Sequence, residues 1–257
     1  MRSLPGNFVV FCDARTGSYN LVSRLNSCPD VVCHGEIFKK NRIEVSDFHR
    51  RKLSVRDTHA RDLQAMEFIR ELRGINPARH VGFKLFSGHL AWAPGAIDYV
   101  LARDTRRVLL MRPPLEIYAS RLRVQKTGVW TDPRRRDPGA APARETVRFT
   151  KESFETFAQA YNKHVAMCQM LAALPGSFVI DYHQTGDPAA MDALLGFLGS
   201  RSSFAETSSE YRKQYEGSLQ DAFANWDELV AALPRLTPLA EVPAPSHAPR
   251  QPAASLV

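Results

Sequence analysis

Short apolar runs alternate along the chain with segments of helical periodicity. Four of these runs occupy residues 8–12, 81–86, 108–111 and 178–180 and are rich in β-branched and aromatic side chains. Such runs predict strands that are buried on both faces, as in a parallel sheet. In the longer segments, apolar side chains recur at three- and four-residue steps, which predicts helices. The helices are expected at about residues 19–25, 60–72, 113–124, 151–174, 189–198, 218–224 and 226–233.

The alternation of strands and helices predicts an α/β fold with three layers, in which a sheet of mainly parallel strands lies between helices on both faces. Ligands of such folds bind at the carboxyl ends of the strands. Side chains that bind a ligand are therefore expected in the loops that follow Cys12, Phe86, Met111 and Asp181.

The length of the chain, 257 residues, allows one sizeable hydrophobic core. A single domain is expected over residues 1–236. Residues 237–257 are rich in Pro, Ala and Ser and lack apolar periodicity, which predicts a disordered tail. No apolar run is long enough for a membrane span or for the core of a signal peptide, so a cytoplasmic protein is expected.

The cysteine and histidine spacings give no sign of a disulfide framework or of a metal site. The four cysteines form no C-x-x-C pair, and the eight histidines form no H-E-x-x-H motif. Single buried thiols and the absence of a bound metal are therefore expected.

Positive charge is concentrated in the middle of the chain. Residues 103–148 hold twelve basic and five acidic side chains, an excess equal to the +7 of the whole chain. A field of this kind attracts an anion. Nucleic acid, a phosphorylated cofactor and a merely solvated arginine-rich face all agree with this composition. The cluster Arg134, Arg135 and Arg136 could bind an anionic acceptor or stay solvated.

The loop after the first predicted strand has the composition of a phosphate-binding turn. It is Arg15-Thr16-Gly17-Ser18, and a helix is predicted to start there. Gly17 lets the backbone approach a ligand, and the free amides of a first helical turn bind anions. The loop is no Walker A motif, because G-x-x-x-x-G-K-[ST] is absent. A plain strand-to-helix turn capped by a serine would have the same composition.

A second segment combines a strand-end arginine with a helical serine. Arg112 follows the third predicted strand, and Ser120 lies about two turns into the next helix. An arginine grips a phosphate with a charged fork, and a serine hydroxyl adds a neutral donor. By spacing alone, Arg112 could equally cap the strand and Ser120 could be exposed.

Together the two segments resemble the sulfotransferases that use 3′-phosphoadenosine 5′-phosphosulfate (PAPS), above all the bacterial group that sulfates carbohydrates and related hydroxyl compounds. The family has a loop [K/R]-[S/T]-G-[S/T]-[S/T] after its first strand, similar to residues 15–18. It also has a strand-end arginine, a nearby proline and a serine eight positions on, as at Arg112 and Ser120. Further similar segments within residues 8–233 are 25–38, 179–182, 194–199 and 225–229.

The resemblance implies a P-loop NTPase-like fold and an enzyme that moves a sulfuryl group from PAPS to an acceptor hydroxyl. A carbohydrate or glycolipid acceptor is expected, with release of the desulfated product PAP and without a metal. Family members also close a late basic loop over the 3′-phosphate. The residues expected to bind the cofactor are Arg15, Thr16, Gly17, Ser18, Tyr19, Arg112, Ser120, Arg212 and Lys213.

The resemblance also implies the catalytic residues. Arg15 and Lys84 are expected to stabilise the transferred charge, and Glu36 is expected to accept the acceptor's proton. His34 and His89 are the alternative bases.

The chain departs from the family pattern at three positions. Tyr19 stands where a second Thr or Ser is usual, and Arg15 replaces the lysine of the animal cytosolic enzymes. Phe86 occupies the position where those enzymes have a basic histidine. These departures concern the hydroxyl near the phosphosulfate and the identity of the base.

Other functions stay open at this point. A nucleotide kinase on a related phosphate-loop sheet would need the missing Walker lysine. A polyanion- or nucleic-acid-binding protein would use the basic segment, but no zinc-finger, RRM or KH signature is present, so no nucleic-acid partner is expected. A sulfotransferase fold kept only for binding is a further possibility. The expected partner is a small-molecule or glycan acceptor, whose identity the sequence leaves open together with the oligomeric state.

Overall fold

The computed structural model describes residues 6–77, 79–130, 145–211, 215 and 217–246. Within this part of the chain, five strands form one parallel sheet in the order β2-β3-β1-β4-β5. The strands are β1 (Asn7–Cys12), β2 (Val31–Glu36), β3 (His80–Phe86), β4 (Thr105–Met111) and β5 (Ser177–Asp181).

Helices cover both faces of the sheet and bury an apolar core on each. In β1, Phe8, Val10 and Cys12 contribute to one core, whereas Val9 and Phe11 contribute to the other. This alternation follows from the two-residue period of a strand. The predicted three-layer α/β fold is confirmed. The helices are α1 (Ser18–Ser27), α2 (Asp47–Lys52), α3 (Thr58–Leu63), α4 (Ala65–Gly74), α5 (Ala96–Leu101), α6 (Pro114–Thr127), α7 (Lys151–Ala172), α8 (Pro188–Leu198) and α9 (Trp226–Ala232).

The sequence pattern does not predict one strand and two short helices, and it predicts two other helices as one. Strand β2 was not predicted, because His34, Gly35 and Glu36 interrupt its apolar run. Helices α2 and α5 have only six residues each, too few to show a period. The helix predicted over 60–72 is two helices, since Gln64 leaves the helical backbone conformation.

The prediction of a helix over 218–224 is wrong. Ser218 and Asp221 hydrogen-bond each other's backbone amides, and this local pairing competes with a helix. Phe223 instead pairs with Val147 as an isolated bridge. The side chain of Asn225 hydrogen-bonds the backbone amide and carbonyl of Phe149. These two bonds hold the segment around Phe223 against the residues that precede α7.

Residues 237–246, the first part of the predicted tail, contact the domain. Residues 237–246 run along α7, where the Asn162 side chain bonds the backbone of Pro238 and Ala240. Ser246 exchanges hydrogen bonds with the backbone of Val179. The proline-rich composition hid these contacts, because they use backbone groups. The domain boundary at residue 236 stays a prediction, and residues 247–257 lie outside the described part of the chain.

Two composition-based predictions can be compared with the structure. All four cysteines are buried and free, as expected for single thiols. Among the helices of the described residues, none is long and apolar enough to cross a membrane.

A buried arginine fixes the segment that follows β2. Arg61 of α3 has no exposed surface, and its Nη1 donates to the carbonyl oxygens of Ile37 and Lys39 at 2.9 Å and of Arg42 at 3.2 Å. Its charge pairs with Asp62 at 2.6 Å. Glu36 is the last residue of β2, and the segment that Arg61 binds follows it directly. Arg61 therefore fixes the position of the chain next to the Glu36 carboxylate.

We expect Arg61→Met to lower the free energy of unfolding by about 3 kcal/mol, since three carbonyl oxygens lose a charged donor in a buried place. Urea unfolding measures the change. The matched control is Arg70→Met, whose exposed pair with Glu67 is worth about 0–1 kcal/mol. Similar losses for the two variants would contradict the role assigned to Arg61.

Candidate active site

The carboxyl ends of the strands open into one cavity of about 900 Å³. Loops after β1, β4 and β5 and the end of β2 contribute its walls, as the rule for parallel sheets predicts. Seven of the residues predicted from the sequence line it: Arg15, Gly17, Ser18, Tyr19, Glu36, Arg112 and Ser120.

The loop between β1 and α1 has a backbone suited to close approach by a ligand. Arg15 and Gly17 both have a positive φ, 72° and 84°. A Cβ at Gly17 would come within 2.2 Å of the Tyr182 ring, so only glycine fits there. The Thr16 side chain is buried and bonds the carbonyl of Asp13 at 2.8 Å. Thr16 thus shapes the loop and does not line the cavity.

Arg112 joins the loop to the end of β4. Its Nη1 donates to the carbonyl oxygen of Arg15 at 2.9 Å, and its Nε donates to Glu116 Oε2 at 2.9 Å. Its guanidinium lies 4.4 Å from the centre of the Tyr182 ring. These contacts hold the unusual backbone conformation of Arg15 in place.

The two phosphate-type segments meet directly. Arg15 Nε donates to Ser120 Oγ at 2.9 Å. Burial and the neighbouring charges of Arg112 and Arg123 lower the pKa of Arg15 to about 10. Cations that repel one another at a cavity wall make a site that favours an anion.

Glu36 forms a buried ion pair on the opposite side of the cavity. It lies beside Lys84 in the register of β2 and β3, and the Lys84 Nζ is 3.1 Å from Glu36 Oε1. The register shifts between His34 and Glu36, and such a bulge re-aims the side chain that follows it. Lys84, which the sequence resemblance places at the transferred group, has no exposed surface and does not line the cavity.

His89 stabilises the charged form of Glu36. Its Nδ1 accepts the Phe86 amide at 3.3 Å, so Nε2 carries a hydrogen and faces Glu36 Oε2 at 3.5 Å. Burial alone would raise the pKa of Glu36, but His89 and Lys84 outweigh it and lower the pKa to about 2. Glu36 is therefore an ionised carboxylate in the free protein.

Tyr19 links Glu36 to a second carboxylate. Its hydroxyl lies 3.4 Å from Glu36 Oε1 and 3.1 Å from Glu44 Oε2. The Lys84 Nζ lies 3.4 Å from the centre of the Tyr19 ring. Burial and the charges of Glu44 and Glu36 raise the pKa of Tyr19, so the phenol stays a donor. The departure at position 19 thus places a hydroxyl between two carboxylates.

The remaining residues predicted from the sequence either do not line the cavity or lie outside the described part of the chain. His34 is buried against His49, with ring centres 4.5 Å apart, and burial lowers its pKa to about 3. It does not line the cavity, and neither does His89. Five residues lie outside the described part of the chain: Arg134, Arg135, Arg136, Arg212 and Lys213.

Sequence reasoning missed several residues of the cavity wall. Tyr182 directly follows β5, so the rule for strand ends could have found it. Arg123 lies three residues after Ser120 and shares its helix face. Others come from loops without a local signal: Lys39, Arg42, Tyr211 and Tyr215.

No protein-family model matches the chain. Nodulation protein H of Rhizobium tropici is 25% identical over 239 residues, which are 88% of this chain and 88% of that protein. A sulfotransferase domain from the curacin biosynthetic pathway superposes with a TM-score of 0.50 and 12% identity, over 90% of this chain and 87% of that one. The chain has the sulfotransferase fold.

A sulfotransferase from Alicyclobacillus acidocaldarius is also similar, with 18% identity and a TM-score of 0.48 over 89% of this chain and 91% of that one. The expected resemblance to sulfotransferases and the expected fold class are confirmed. These two solved structures are sulfotransferases, which are a class of transferases. In the described residues of this sulfotransferase fold, no group of three or more His, Cys, Asp or Glu side chains could hold a metal ion.

The ion pair of Glu36 predicts a specific acid sensitivity. Because its folded pKa of about 2 lies below the ordinary 4.5, the stability that it contributes is present above about pH 4.5 and is lost as the pH falls toward 2. Glu36→Gln should therefore be less stable than the parent at pH 7, and this difference should shrink at pH 3. Urea unfolding at both pH values measures it.

The control is Glu67→Gln, which removes an exposed carboxylate. It should differ little from the parent at either pH. A stability difference for Glu36→Gln that stays constant from pH 7 to pH 3 would refute the assigned ion pair.

Proposed function

We propose that the protein transfers the sulfuryl group of PAPS to the hydroxyl of an acceptor molecule and releases PAP. The observation that carries the proposal is the direct contact between the two segments that resemble the family's phosphate sites. Arg112 binds the Arg15 carbonyl and Arg15 binds Ser120, all at the wall of one cavity.

The residues at this wall fit a nucleotide with two anionic groups. The cavity volume of about 900 Å³ lies in the range of ligand pockets. Arg15, Arg112 and Arg123 bring positive charge together, and Glu116 is the carboxylate paired with Arg112. The backbone at Gly17 leaves room for close approach.

Each binding residue receives a role from its position. Arg112 and Ser120 bind the 3′-phosphate, while Arg15 and the amides of residues 16–19 bind the phosphosulfate group. PAPS, when bound, supplies the sulfuryl group. Arg15 stabilises the negative charge that develops on the leaving oxygens, in a site already shaped for it.

Glu36 accepts the proton of the acceptor hydroxyl. It is an ionised carboxylate at the cavity wall, whereas His89 donates toward Glu36 and His34 lies elsewhere. Its low pKa does not prevent this role, because an oxygen that bonds to the sulfuryl group becomes strongly acidic. Lys84 acts on the reaction through Glu36, as a positioning residue that keeps the carboxylate charged.

The acceptor is proposed to be a carbohydrate or glycolipid hydroxyl, the substrate class that the sequence resemblance implies. Polar side chains near Glu36 agree with it, since Lys39, Arg42 and Tyr211 line the cavity there. A cytosolic location and the absence of a nucleic-acid partner stay predictions.

Ligand selectivity tests the cofactor. PAP should raise the melting temperature, because a ligand of the native state stabilises it by about 2.7 kcal/mol at a hundred-fold excess over Kd. ATP lacks the 3′-phosphate and should raise it far less. Differential scanning fluorimetry measures both shifts, and equal shifts would rule out the PAPS assignment.

Glu36→Gln tests the base. A positioned base contributes about 10²–10⁴-fold, so kcat should fall at least about a hundred-fold while PAP affinity stays nearly unchanged. Transfer from radiolabelled PAPS to lysate fractions first identifies the acceptor, and kcat is then measured with it. Glu67→Gln is the control and should keep parental kcat.

Two results would contradict the role of Glu36. If the variant keeps more than about a tenth of the parental kcat, Glu36 is not the base, and His89→Asn is the next variant to measure. If PAP binding is lost together with activity, Glu36 holds the site in shape instead.

A further inference from the structure

Arg123 is a cation of the cavity wall that the family pattern does not explain. It lies on α6 one turn beyond Ser120, on the same face of the helix. Its Nε donates to the carbonyl oxygen of Glu145 at 3.1 Å, and its guanidinium lies 3.6 Å from the centre of the Tyr215 ring. These contacts fix the side chain beside the proposed 3′-phosphate site.

The charge of Arg123 has no carboxylate partner among the described residues. Its terminal nitrogens make no hydrogen bond there either, and Nη2 is buried. A buried donor without an acceptor costs free energy, so the side chain is primed for an anion. The other cations in and around α6 are paired within the described part of the chain: Arg112 with Glu116, Arg121 with Asp13, and Lys126 with Glu145.

Among the described residues, Arg112 and Ser120 alone leave the charge of a 3′-phosphate incompletely balanced. A phosphate monoester carries a charge of about −1.5 to −2 at neutral pH. Arg112 is already paired with Glu116 at 2.9 Å, so its charge is partly neutralised. Ser120 adds a neutral donor only. Burial and the nearby charge of Arg112 lower the pKa of Arg123. The two guanidinium groups therefore lie close enough to repel each other, and one anion could bind both.

We propose that Arg123 is a third ligand of the 3′-phosphate, beside Arg112 and Ser120. The proposal rests on the proposed PAPS site and adds a residue to it. Arg123 supplies the charge that Arg112, held by Glu116, does not provide. It thereby makes the site selective for a nucleotide with a 3′-phosphate over one without it.

Calorimetric titration with PAP and with adenosine 5′-monophosphate tests the proposal, because the two ligands differ only in the 3′-phosphate. Arg123→Gln should weaken PAP binding about ten- to a hundred-fold, the usual worth of a charged hydrogen bond. Its affinity for adenosine 5′-monophosphate should stay within about two-fold of the parent, because that ligand lacks the affected group. Arg123→Lys keeps the charge without the fork and should bind PAP with intermediate affinity.

Lys126→Gln is the matched control. It removes the same charge from the same helix, but Lys126 is exposed and does not line the cavity. At physiological salt, which screens exposed charges beyond about 8 Å, this variant should bind PAP as the parent does. The unfolding midpoint of each variant is measured as well. Equal midpoints show that the differences in affinity arise in folded protein.

Two outcomes overturn the proposal. One is an unchanged PAP affinity in Arg123→Gln, and the other is an equal loss for both nucleotides, which would mean that Arg123 only supports the shape of the site. Arg112→Gln separates this proposal from the proposed function. If Arg112→Gln loses PAP and Arg123→Gln does not, only the role of Arg123 fails. If the parent protein itself does not bind PAP, the proposed function fails with it.

Discussion

The buried ion pair between Lys84 and Glu36 constrains the whole side of the cavity where we propose that the acceptor binds. An ammonium without exposed surface needs an opposite charge within reach, because an isolated buried charge is too costly to keep. The pair fixes the register of β3 against the end of β2 and requires the bulge that turns Glu36 toward the cavity. It also keeps Glu36 ionised despite its burial.

The cavity consequently has two electrostatic halves. On one side, arginines of the β1–α1 loop and of α6 bring positive charges close together, which suits anionic groups. On the other side, Lys84 and Glu36 balance each other, and Tyr19 stands over them. Sulfuryl transfer needs both conditions, since the leaving group is an anion and the acceptor must lose a proton.

The parts of the site that the sequence predicts are those with local patterns. The strand before residue 13, the glycine turn at Gly17 and the eight-residue step from Arg112 to Ser120 lie within single segments, so spacing reveals them. Contacts between distant segments carry no such signal. The burial of Lys84 depends on strand order, and the role of Glu44 depends on a bulge, so neither could be predicted from spacing.

The tyrosine at position 19 belongs to this second group. A small hydroxyl residue there would remove the tyrosine ring that lies against Lys84 and the phenol that donates to Glu44. Glu44 in turn fits only because Gly35 lacks a Cβ, which would lie 2.7 Å from Glu44 Oε2. The three residues therefore depend on one another, and the departure at Tyr19 is coupled through Glu44 and Gly35 to the placement of Glu36. This side of the cavity, the proposed acceptor side, is built around that carboxylate by contacts that no single motif contains.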